Sequence, residues 1–219
     1  MTAQDAIAPA PTADGPPVSG GAPIVDLRSS REAAAAPEVS IIVPGLNEAD
    51  SLGELAARIQ KHFDGDRSFE IIFVDDGSTD NSWEVITGLS RDDARVKGVR
   101  LRKNFGKAMA LSAGFQRARG DIVVPMDADL QDDPADLPAF IEQIELGMDV
   151  VVGWKVQRLD PSNRLILSRI FNGTVRKATG VKLHDMNCGF KAYRREVLRS
   201  IPVYGDLFRF IPAFAAWEG

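Results

Sequence analysis

Short runs of β-branched and apolar residues recur between residues 39 and 153, each separated from the next by a longer amphipathic stretch. That alternation constrains the fold more than any other feature of the chain. VSIIVP (39–44), FEIIFVD (69–75), VKGVRL (96–101), DIVVPMD (121–127) and MDVVVG (148–153) are apolar throughout rather than at every second position, the pattern of strands buried on both faces. The spacing predicts helices over 48–63, 80–91, 106–118 and 134–146. Strands alternating with helices make βαβ units, so the expected fold is α/β with a mostly parallel sheet and right-handed crossovers. Asn81 or Ser78 is placed to cap the second helix, and Pro134 suits the first turn of the fourth. Beyond Gly153 the pattern predicts a helix over 162–178, an apolar strand GFKAY at 189–193 and a short helix starting near Asp206.

The chain has 219 residues, enough for one domain and a tail. Residues 1–38 hold 6 of the 13 prolines and 10 alanines with no aromatic residue, so they cannot bury enough surface to offset their ordering entropy. They are expected to form a disordered tail, with the domain occupying 39–219. Asp5 and the early prolines do not fit a secretory signal, no apolar run is long enough to cross a bilayer, and a cytoplasmic location is expected. A net charge of −5 argues against a nucleic-acid partner. Cys188, the single cysteine, cannot close an internal disulfide. His62 and His184 are too few and too far apart for a zinc site.

In open parallel sheets ligands bind at the carboxyl ends of the strands, and here those positions are rich in polar residues. The first run ends in Pro44-Gly45-Leu46-Asn47-Glu48 and the second in Asp75-Asp76-Gly77-Ser78-Thr79-Asp80. Asn104-Phe105-Gly106-Lys107 follows the third, and the fourth ends in Asp127-Ala128-Asp129-Leu130-Gln131. Asp127 and Asp129, on either side of Ala128, place two carboxylates in one cleft, where a cation relieves their repulsion. Oxygen-only donors favour Mg²⁺ or Mn²⁺ with substrate phosphates completing the shell, and Gln131 can add a neutral oxygen. Asp132 and Asp133 lie closer to Pro134 and are better placed to cap the next helix. Asp75 or Asp76 can accept an N–H from a nucleobase, while Ser78, Thr79 and Asp80 supply turn and cap chemistry. Lys107 suits an anion, although neither a P-loop nor a GxGxxG fingerprint is present.

Six ordered blocks, IIVPGLNEADSL, FVDDGSTDNS, NFGKAMALSAGF, GDIVVPMDADLQDDP, DMNCGFKAYRREVL and FRFIP, resemble the family 2 glycosyltransferases of GT-A fold. Within that family they are most similar to the polyprenyl-phosphate glycosyltransferases, such as dolichyl-phosphate mannose synthase and its bacterial relatives. The resemblance implies a nucleotide-diphosphate-sugar donor, UDP favoured over GDP, a divalent metal and a polyprenyl-phosphate acceptor at the cytoplasmic membrane face. It assigns Pro44, Asn47 and Glu48 to the base and ribose pocket, with Asp75 or Asp76 on the base. Lys107 and Ala128 fall among the donor-contacting positions, and Asp127, Asp129 and Gln131 form the diphosphate-metal site. Lys155 and Arg169 become cationic clamps on phosphate. Relatives often carry arginine at position 155, and lysine keeps the charge but loses the bidentate fork.

The implied mechanism needs no protein base, because a polyprenyl monophosphate is already ionised, and attack opposite the leaving group inverts the anomeric carbon. A saccharide hydroxyl acceptor would need a base instead, for which Asp185 is the candidate. A nucleotide-sugar-binding protein without catalysis is the other alternative. Family members continue past the FRFIP block with a basic loop and hydrophobic helices that hold them at the membrane surface, whereas this sequence stops at Gly219. The resemblance therefore implies a shortened catalytic domain with impaired transfer.

Overall fold

A computed structural model of the chain describes residues 25–27, 35–63, 67–153 and 190–200. Its strands are β1 (Val25–Leu27), β2 (Val39–Gly45), β3 (Phe69–Asp75), β4 (Val96–Arg100), β5 (Ile122–Pro125), β6 (Val150–Val152) and β7 (Lys191–Arg194). The helices are α1 (Ala49–Phe63), α2 (Ser82–Asp92), α3 (Lys107–Phe115), α4 (Leu137–Glu145) and α5 (Arg195–Ser200), with a 3₁₀ turn at Pro134–Asp136 ahead of α4. The strands form one sheet in the order β1-β4-β3-β2-β5-β7-β6.

β4, β3, β2 and β5 run parallel, as the apolar runs predict. Every residue of β3 is buried, and β2 is buried up to Gly45. Alternate β2 side chains feed two cores. Val39, Ile41 and Val43 pack with α1, α2 and α4, while Ile42 packs with α3 on the opposite face. The sheet is thus sandwiched between helices, the arrangement an all-parallel centre requires.

Four expectations are corrected. Val25–Leu27 lie in the stretch expected to be disordered, yet they pair antiparallel with β4 from Val25↔Arg100 to Leu27↔Gly98. A free edge of backbone donors and acceptors is satisfied by any three extended residues that reach it. The 148–153 run is not buried on both faces: only Val150–Val152 are extended, all half-buried. β7 lies between β5 and β6 and is antiparallel to both, because Ala192 and Tyr193, fully buried, fill the apolar slot beside β5. That strand spans 191–194 rather than 189–193. Finally, neither Asn81 nor Ser78 caps α2. The Asp80 carboxylate accepts from Ser82 N instead (3.0 Å). At the fourth helix Pro134 does occupy the first turn, and the Asp133 side chain accepts from Ala135 N. The helices expected over 162–178 and from Asp206 lie outside the described residues.

Candidate active site

The loops that leave the carboxyl ends of β2, β3, β4 and β5 surround one cleft of about 280 Å³. Pro44, Glu48, Asp76, Lys107, Asp127, Ala128 and Asp129 line it, so residues from all four sequence clusters meet there. Gly45, Leu46, Asn104, Gly106 and Ala110 complete the lining. Leu46 and Ala110 carry no polar signal and were not singled out from the sequence.

Asn47 ties the first loop to the second. Its backbone is left-handed (φ 58°), a conformation that asparagine tolerates better than most residues. The Oδ1 atom accepts from Thr79 N at 2.8 Å, and its own N–H donates to Ser78 Oγ at 2.9 Å. One residue on, Glu48 N donates to Ser82 Oγ at 2.9 Å. Asn47 is therefore spent on the turn, while Glu48 and Pro44 face the cleft. Hydrogen bonds from Ser82 hold the exposed Asp80 carboxyl below its ordinary value of 3.8. Gly77 (φ 78°) permits the turn, and a Cβ there would lie 2.4 Å from the Lys103 carbonyl carbon.

The two adjacent aspartates separate by role. Asp75 is fully buried beneath the loop. Its Oδ1 accepts from Ser78 N at 2.7 Å, and Oδ2 lies 3.2 Å from Arg100 Nε in an ion pair without hydrogen-bond geometry. The guanidinium also sits over the Trp83 ring, 5.5 Å from its centroid. Arg100 is a residue the sequence reading did not select, although parallel pairing of β3 with β4 puts it in register with Asp75. Asp76 lines the cleft, and its two oxygens accept from Phe105 N and Gly106 N, both at 2.8 Å. Those bonds fix the turn that starts α3. Gly106 has a φ of 90° and no side chain caps the helix. Lys107 is the first helical residue.

The loop after β5 is held more lightly. Met126 N still donates to Ile42 O (2.9 Å), and buried Ala128 packs beside Gly45. The carboxylates on either side of it reach the cleft. Lys107 Nζ donates to Asp127 Oδ1 at 2.5 Å, and Gln131 N donates to Asp129 Oδ1 at 3.1 Å. Leu130 between them has a φ of 62°. Gln131 itself is exposed and lies outside the cleft lining. Among the described residues no three His, Cys, Asp or Glu side chains gather as a ready-made metal cage. Two carboxylates, one already holding an ammonium group, nevertheless suit a hard divalent cation that draws its remaining oxygens from water and phosphate. Lys155, Arg169 and Asp185 lie outside the described residues, as does Cys188. Among the described residues no helix is long and apolar enough to cross a membrane.

Comparison with known proteins bears on this geometry. The family model "Glycosyl transferase family 2" matches residues 40–201. An undecaprenyl-phosphate 4-deoxy-4-formamido-L-arabinose transferase of Pseudomonas aeruginosa (strain LESB58) is 39% identical over 179 residues, covering 81% of this chain and 53% of that protein. A dodecaprenyl-phosphate galacturonate synthase of Rhizobium johnstonii is 36% identical over 194 residues, covering 87% of this chain and 57% of that protein. Among solved structures, a mannosyltransferase from Pyrobaculum calidifontis in complex with GDP-Man and Mn²⁺ superposes with a TM-score of 0.56 at 25% identity, over 78% of this chain and 48% of that one. The chain spans about half the length of the curated relatives it matches.

Proposed function

The chain belongs to glycosyl transferase family 2, and from that premise we propose that it transfers a sugar from a nucleotide-diphosphate sugar to a polyprenyl phosphate. The single observation that carries the proposal is the meeting of Glu48, Asp76, Lys107, Asp127 and Asp129 in one cleft at the carboxyl edge of the parallel strands. The names of the two curated relatives, both polyprenyl-phosphate enzymes, support the choice of acceptor. Pro44 and Glu48 border the base and ribose, Asp76 holds the turn beside them, and Asp127, Asp129 and Lys107 face the diphosphate.

The chemistry follows from charge. An ionised acceptor phosphate oxygen forms the new bond to the anomeric carbon from the face opposite the leaving group. The bond from that carbon to the donor diphosphate breaks, and the nucleoside diphosphate departs with the electron pair. No proton has to be removed, so positioning and charge stabilisation are the protein's tasks. Lys107 supplies a cation at the cleft wall, and Lys155 and Arg169 are assigned as further clamps on phosphate. Mg²⁺ or Mn²⁺ held by Asp127 and Asp129 would neutralise charge developing on the diphosphate; Gln131, outside the cleft lining, would have to turn inward to add a third oxygen. The site is assigned to the cytoplasmic face of the membrane, with a UDP-sugar preferred to a GDP-sugar.

Thermal unfolding of the chain with a panel of UDP- and GDP-sugars, with and without Mn²⁺, tests donor binding, because a ligand of the native state raises stability by mass action. A Mn²⁺-dependent rise in Tm, larger for UDP-sugars, is expected. No rise with any donor would overturn the proposal at its first step. Radiolabelled transfer from the best donor into polyprenyl phosphate then tests the acceptor.

A further inference from the structure

Lys107 sits where helix energetics disfavour it. A positive side chain in the first turn opposes the helix dipole, and α3 carries no acidic residue there to compensate. The lysine is half-exposed, and the partner it has is Asp127 across the cleft, at 2.5 Å. Its backbone is set by buried Asp76, which accepts the N–H groups of Phe105 and Gly106 just ahead of it. The turn is rigid at its root, while the four-carbon stem is free to sweep an arc over the cleft. The ammonium takes only Oδ1 of Asp127, but a metal ion on the same carboxylate would lie within a few ångströms of it, and two cations that close repel.

We propose that Lys107 is a resident placeholder for the divalent cation. It neutralises Asp127 while the cleft is empty, and leaves that carboxylate when the cation arrives. Its ammonium then turns to the donor diphosphate, whose charge it helps to balance. The inference rests on the reading of Asp127 and Asp129 as metal donors. It adds a coupling: entry of the metal releases the cation that grips the phosphate. An exposed ion pair is weak enough to be exchanged in this way, and the exchange leaves Asp127 paired with a cation before and after.

The coupling predicts effects of opposite sign from one substitution. In Lys107→Met, Mn²⁺ alone should bind about threefold to tenfold more tightly, because the competitor and the repulsion are both gone. At saturating Mn²⁺, UDP and GDP should bind about threefold to tenfold more weakly, because a phosphate contact is lost. Lys107→Arg, which keeps the charge, should stay within about twofold of the original chain for Mn²⁺. Free Mn²⁺ counted by electron paramagnetic resonance gives the metal affinity, calorimetric titration of UDP and GDP gives the nucleotide affinity, and circular dichroism melts confirm that each variant is folded. Asp129→Ala in the same titration shows whether the counted Mn²⁺ is the ion at this site. A folded Lys107→Met chain whose Mn²⁺ affinity is unchanged or lower overturns the placeholder role and leaves the metal assignment standing. If the unaltered chain binds no Mn²⁺ that Asp129→Ala removes, the metal assignment itself falls, and the placeholder with it.

Discussion

The two walls of the cleft are built differently. On the wall formed after β2, β3 and β4, Asn47, Ser78, Asp76 and Ser82 hydrogen-bond to backbone of a neighbouring turn and Asp75 to backbone of its own, so its shape is set before any ligand arrives. On the wall formed after β5, Asp127 and Asp129 have one partner each among these contacts, the Lys107 ammonium and a local N–H. Rigid polar networks favour recognition of a ligand with a fixed shape, because the cost of ordering is met during folding. Loosely held carboxylates suit a centre completed by whatever cation and phosphate oxygens enter. On the proposed function, the first wall would recognise the donor and the second would carry the chemistry.

Substitutions that strike one wall and spare the other test that separation. The largest effect is expected from Asp76→Ala, which leaves the N–H groups of Phe105 and Gly106 without the buried carboxylate they share. Two charge-assisted hydrogen bonds lost together should cost about 3–5 kcal/mol of stability by denaturant unfolding, with nucleotide binding lost as the turn loosens. A loss under about 1 kcal/mol would show that the recognition wall does not depend on this residue. Next is Asp129→Ala, on the other wall. Stability should change by less than about 0.5 kcal/mol, the range of surface substitutions. Mn²⁺-dependent nucleotide affinity should fall by about two orders of magnitude, roughly 2.7 kcal/mol. Equal Mn²⁺-dependent affinity before and after would remove Asp129 from the site. The smallest effect belongs to Asp80→Asn. A carboxyl held below its ordinary value of 3.8 favours the folded state when ionised, so its contribution is present above that value and is lost as the pH falls through the lowered one. The stability gap between the two chains should therefore close between about pH 5 and pH 3, as followed by unfolding at each pH. A gap independent of pH would mean that the cap acts through shape rather than charge.

The parallel centre of the sheet was legible because its strands are apolar at every position, a pattern that only burial on both faces explains. The cleft was legible for the same reason, since strand ends locate the loops that matter. Other features depend on contacts remote in sequence. Val25–Leu27 carry too short an apolar signal to stand out among prolines, and their extended form comes from the free edge of β4. Nothing local shows that β7 inserts between β5 and β6. Asp75 and Asp76 are chemically identical neighbours, and only the alternation of the strand sends one beneath the loop to Arg100 and the other to the cleft. Asn47 reads equally well as a ligand contact or a turn residue until its partners are known. For Lys107 the charge was visible in the sequence, but its pairing with Asp127 spans 20 residues and two loops.

The insertion of β7 bears on how the sheet tolerates changes in chain length. β6 runs in the same direction as β5, so the β6 end at Val152 lies at the cleft edge, and there Val152 pairs with Lys191 while Gly153 N donates to Phe190 O at 3.0 Å. Gly153 and Phe190 are therefore pinned to each other at the end of the β6–β7 ladder. Closing a longer excursion costs little, about 0.6 kcal/mol for each doubling of its length. A change in the number of residues between those two points therefore need not shift the register of β5, β7 or β6.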